Sequence, residues 1–134
     1  MSIRVVRLGS DRAKDEGIRI GTVRRPPRGV PKKDFASKNY YDVWLPNLSP
    51  SPDTMKMGRS VKTEKEWLAF EKEYRKEMVR PENLRVIELL AAMSRESNFS
   101  VGCYCTNPER CHRSVLQKLL QEKGGKIKQD DKGA

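Results

Sequence analysis

In NFSVGCYCTNPERCHRSVLQKLL, Asn98 to Leu120, a strand-type run passes directly into a helical one. NFSVGCYC (98–105) reads as a strand. Just beyond it, Asn107 can cap a helix and Pro108 can open it, since the first helical position has no use for its N–H. Val115, Leu116, Leu119 and Leu120 then recur at helical spacing, and Gly124 supplies the stop. A strand feeding a helix this way is a building unit of layered α/β folds.

The flanking sequence extends the pattern. Thr63 and Glu66 form a Thr-x-x-Glu capping box, and Trp67, Phe70, Tyr74 and Met78 follow at helical spacing, which predicts a helix with an aromatic core stripe. A second helix is expected from Pro81 to about Glu96, largely buried through the broad face of Leu84, Ile87, Leu90, Ala91 and Met93. IRVVRL (3–8), IRIGTV (18–23) and YYDVWL (40–45) read as short strands. PNLSPSPDTMKMGRS (46–60) reads as a Pro/Ser-rich loop, a candidate lid. The expectation is one small layered α/β domain over residues 1–125, with a mainly parallel sheet flanked by helices. A polar, frayed tail is expected over 126–134.

Composition narrows the partners. A chain of 134 residues can bury roughly two thirds of its unfolded surface in one core. Its three cysteines are an odd count, the N-terminus does not resemble a signal peptide, and no run of about 18 apolar residues is present. A cytoplasmic, reducing setting with free thiols and no membrane partner is expected. Lys plus Arg is 28 against 18 acids, a net charge of +10. Residues 1–33 hold ten of the bases and three of the acids, so +7 of that excess is local. Its centre is RRPPRGVPKK (24–33), where Arg24, Arg25 and Arg28 stand in a stretch stiffened by Pro26, Pro27 and Pro31. Such a concentration favours anionic, phosphate-bearing partners, and a solvated loop of a basic protein is the plainer alternative.

The opening stretch also holds every cysteine and the single histidine. Two residues apart on a strand, Cys103 and Cys105 share a face. On a helix turning about 100° per residue, His112 falls within the stripe of Val115, Leu116, Leu119 and Leu120 and points inward, with Cys111 and Arg113 at its edges. Four readings stand. The residues can be core, with Arg113 paired to Glu109 at i,i+4. They can hold zinc, against which stand an unusual spacing and the 100° divergence of adjacent Cys111 and His112. Cys105 can be a nucleophile assisted by His112 and Arg113, although the phosphatase spacing Cys-x5-Arg would use Arg110 instead. Last, the helix start can hold a phosphate group without catalysis.

The chain resembles the bacterial and archaeal family known as domain of unknown function 488, which includes the YeaO-like proteins. The matching pieces are RRPPRGV, VWLPNLSPS, WLAFEKEYRKEM and GCYCTNPERCHRSVL. In the YeaO-like pattern Asp-Arg-x-Trp-Pro-Arg-Gly, Arg24, Pro27, Arg28 and Gly29 match, while Val23 replaces the Asp and Pro26 the Trp. The resemblance implies an α/β fold and two functional segments, the Arg-rich loop and the Cys-His-Arg helix start. It implies no particular reaction.

The expected function is binding of a nucleotide or nucleic acid between Arg24, Arg25 and Arg28 on the loop and Cys111, His112 and Arg113 at the helix start. The alternative is a small thiol-dependent or hydrolytic enzyme whose catalytic residues are Cys105, His112 and Arg113. A third possibility is a protein-interaction module docking through its proline-rich loop. No cofactor and no metal is expected, and the oligomeric state is left open.

Overall fold

The computed structural model describes residues 1–105 and 110–128. Along them run strands β1 (Ile3–Arg7), β2 (Ile18–Gly21) and β3 (Val43–Trp44), helices α1 (Pro52–Arg59), α2 (Glu64–Met78) and α3 (Pro81–Met93), strand β4 (Phe99–Cys103) and helix α4 (His112–Glu122). The sheet is wholly parallel in the order β1-β4-β2-β3, so the last strand in sequence occupies an inner place. Val101 of β4 sits between Val5 and Ile20. All five residues of β4 are buried, as a parallel strand covered on both faces requires.

The period of two divides the sheet into unlike faces. Ile3, Ile20, Phe99 and Val101 join Trp67, Phe70, Tyr74, Met78, Ile87, Leu90 and the α4 stripe in the main core, so the helices cover this face. The opposite face carries Arg19, Ser100, Gly21 and Gly102 and is covered by loops. Arg19 bonds the Ser10 and Asn39 carbonyls, the Tyr41 ring lies over Gly21, and Leu8 lies over Gly102. A Cβ on Gly102 would meet the Val6 carbonyl oxygen at 2.6 Å, so this central position admits only glycine without a shift of β1.

Several expected elements take a different extent. Residues 46–60 are not an irregular loop: they hold a 3-10 turn, Pro46–Leu48, and helix α1. Ser51 caps α1, Pro52 opens it, and Glu77 of α2 accepts hydrogen bonds from Ser51 N–H, Ser51 Oγ and Thr54 Oγ1. Strand β3 keeps only Val43 and Trp44, because it is an edge strand paired on one side and followed closely by Pro46. Helix α3 ends at Met93, whose side chain is 40% exposed rather than buried. The capping box of α2 is present in both halves, and its aromatic stripe is buried.

Asn107 and Pro108 lie outside the described residues, and α4 as described starts at His112 with Cys111 as its N-cap. The beginning of the expected tail is tied down: Ile3 N–H donates to the Lys126 carbonyl and Lys128 N–H to the Ile3 carbonyl, which sets Ile127 beside Ile3. No helix among the described residues is long and apolar enough to cross a membrane.

Candidate functional site

Parallel strands end on one side of a sheet, so the segments after β1, β2 and β4 collect at the same edge. There the basic loop leaves β2 and meets Tyr104, the first residue beyond β4. The Tyr104 hydroxyl donates to the Arg25 carbonyl at 2.9 Å, and Arg7 Nε donates to the Tyr104 carbonyl at 3.3 Å. Arg24, itself exposed, donates from one guanidinium nitrogen to the Ser49 and Pro50 carbonyls and ties the loop to the approach of α1. Arg25, Pro26, Pro27 and Arg28 then line an open pocket of about 640 Å³ together with Tyr40 and Tyr104. The two tyrosine rings stand edge to face, 6.4 Å apart. Two arginines and two aromatic rings, with no acid among the described lining residues, make a surface suited to an anion with a flat apolar part.

Beneath this rim lies a thiol cluster. Cys103 Sγ and Cys111 Sγ are 2.6 Å apart, and His112 Nδ1 is 3.9 Å from Cys111 Sγ. Cys103, Cys111, His112 and Arg113 are all buried, whereas Cys105 is exposed, and all three thiols are free. His112 Nε2 lies 2.8 Å from the Thr22 carbonyl and must donate to it, which leaves Nδ1 as the unprotonated nitrogen of the neutral ring. Burial favours that neutral form, pressing the His112 pKa down against the pull of the Thr22 bond and the Cys105 charge. Tyr74 holds the ring in place edge-on at 5.7 Å, and Arg113 donates to the Val6 carbonyl.

The thiols share their protons unequally. Cys105 is pushed down, first by the hydrogen bond from Cys103, then by that from Cys111, with His112 and Arg113 adding to the effect against partial burial. Cys103 is pushed up, chiefly because it donates to Cys105, and Cys111 is pushed up because it donates to Cys103 and Cys105. Of the three thiols, the exposed one is the one pushed toward its thiolate.

The expected site residues thus divide. Arg25 and Arg28 line the pocket; Arg24 does not; Cys105 is exposed; Cys111, His112 and Arg113 are buried with their polar atoms engaged inside the fold. Arg110 is drawn away to Glu64 and lies over the Trp67 ring. Glu109, the expected partner of Arg113, lies outside the described residues. The supposed divergence of Cys111 from His112 does not hold, because Cys111 is extended (φ −130°, ψ 152°) and precedes the helix. Sequence reasoning missed Cys103, Tyr104 and Tyr40 as site residues. Tyr104 had a signal, since alternation sets it on the face opposite two cysteines at a strand end. Tyr40 had none, because its place depends on the long β2–β3 connection.

Comparison with known proteins gives a consistent assignment. Residues 3–124 match the family model DUF488-N3a, described as the active DUF488-N3 subclade. No curated protein and no solved structure matches the chain. With nearly its whole length covered by that model, the chain belongs to the DUF488 family, in its N3 subclade.

Proposed function

We propose that the protein binds a phosphate-bearing ligand, a nucleotide or a nucleic acid, in the pocket of Arg25, Arg28, Tyr40 and Tyr104. The observation that carries this reading is the lining itself: two arginines, with no acid among the described lining residues, beside two tyrosines that can stack a base. Its volume, about 640 Å³, falls in the usual range for small-ligand sites. Arg24, Cys111, His112 and Arg113 support the loop and the floor in this reading rather than touching the ligand. The test is titration of a fluorescent single-stranded oligonucleotide and a labelled nucleoside triphosphate at two salt concentrations, with wild type and the Arg25→Ala/Arg28→Ala double variant. Wild type binds with an affinity that falls as salt rises, and the double variant binds at least about tenfold more weakly. Absence of salt-sensitive binding by wild type, or equal binding by the variant, refutes the reading.

The enzyme alternative has less support. Cys105 is exposed as a nucleophile must be, and the family model carries the word active. His112, however, commits Nε2 to the Thr22 carbonyl and turns Nδ1 toward Cys111, so it does not face the exposed side as a base.

A further inference from the structure

We propose that Cys103, Cys105, Cys111 and His112 form a binding site for a soft divalent metal ion, zinc in the first place. Three features lead to it.

The ligand atoms of Cys103, Cys111 and His112 all lie within 4.8 Å of one another, within reach of one ion bonded at about 2.0–2.3 Å to each, once the two sulfurs, 2.6 Å apart here, open to a tetrahedral separation. They come from the end of β4 and the start of α4, two elements packed in one core. Cys105, exposed two residues beyond Cys103, lies outside that group of three and is taken as the fourth ligand, drawn in as the ion binds; its exposure gives the ion a path in.

Second, the histidine is prepared. In protein metal sites the ring nitrogen that does not bind metal usually donates to a carbonyl or carboxylate, which fixes the tautomer. Here Nε2 is on the Thr22 carbonyl at 2.8 Å, and Nδ1 faces Cys111.

Third, the donor chemistry selects the metal. Three thiolates and one imidazole make a set that zinc favours and that calcium or magnesium, which prefer oxygen, do not. Bound metal would join the end of β4 to the start of α4 directly beneath Tyr104 and so brace one wall of the pocket.

The full chain, grown with added zinc and purified under reducing conditions without a chelator, is expected to carry about one zinc per chain by elemental analysis. Stripped of metal and titrated with Co(II), the folded protein should develop thiolate-to-cobalt charge-transfer absorption and the intense visible bands of tetrahedral cobalt. Cys111→Ser should abolish the charge-transfer intensity or reduce it sharply. Because Cys111 is buried and its replacement can disturb folding, the exposed Cys105→Ser provides the second measurement. It should retain the native circular dichroism and lower Co(II) affinity by at least about tenfold, the scale on which ligand shells act. Substoichiometric zinc together with no charge-transfer band in reduced wild type overturns the site. Unchanged Co(II) affinity in Cys105→Ser overturns the four-ligand assignment.

Discussion

Arg19 and Arg28 belong to the same basic N-terminal segment, yet they do opposite things. The Arg19 side chain is fully buried: Nε donates to Glu16 at 2.7 Å, a second nitrogen donates to the same carboxylate at 3.0 Å, and a third reaches the Ser10 and Asn39 carbonyls. Glu16 also accepts from Ser100 Oγ and the Ala13 N–H. The charge of Arg19 is cancelled inside the fold, where it fastens the loop layer to the polar face of the sheet. Arg28 is exposed on the pocket rim, and among the described residues it has no ion-pair partner. A formal charge count treats the two alike. What reaches a ligand is only the charge that the fold leaves unneutralised and facing solvent.

The contrast can be broken by substitution. Arg19→Met leaves Glu16 as an unpaired buried carboxylate and should cost about 3–5 kcal/mol in denaturant unfolding. A loss no larger than that of an exposed arginine would erase the distinction. Acid should attack the same pair. Burial raises the Glu16 pKa, but the bonds from Arg19, Ser100 and the Ala13 N–H outweigh it, so the folded value lies below the unfolded one near 4.5. The stability this pair contributes is therefore complete above that unfolded value and is lost as pH falls through the folded pKa. The melting temperature of wild type should fall more steeply on acidification than that of Glu16→Gln; parallel curves would assign acid sensitivity elsewhere.

Smaller effects belong to the exposed groups. Thr63→Ala removes half of the α2 capping box and should cost about 1 kcal/mol, measured by the same unfolding titration. Arg28→Ala should change stability by less than about 0.5 kcal/mol. It should nevertheless weaken oligonucleotide binding and lower the slope of log K against log salt by about 1. If Arg28→Ala destabilises the fold as Arg19→Met does, the rim is structural and the comparison fails. If it leaves binding and slope unchanged, the pocket does not touch phosphate.

Much of the fold could be read from neighbouring residues. The capping box and aromatic stripe of α2, the proline start of α3, the stripe of α4 and the runs that became β1, β2 and β4 all matched their expected type, because caps and periods are local chemistry. Helix α1 was hidden in a Pro/Ser-rich segment because the carboxylate that holds its cap, Glu77, lies 26 residues from Ser51. The candidate site was legible as a segment, and the fold sorts its residues by exposure. Arg24, Arg25, Arg28 and Cys105 are exposed, although one guanidinium nitrogen of Arg24 bonds the Ser49 and Pro50 carbonyls; Cys111, His112 and Arg113 are buried, with their polar atoms used inside the fold.

The sequence by itself determined the elements, the strand-to-helix junction and the concentration of basic charge, since each depends on residues within a turn or a strand of one another. Only the tertiary structure decided the rest. It inserted β4 between β1 and β2, buried Arg19 against Glu16, took Cys111 out of the helix to meet Cys103, and turned His112 onto the Thr22 carbonyl. The physical reason is range: burial, pairing and metal-ligand geometry are set by groups that meet across long stretches of chain, as Thr22 and His112 do across 90 residues.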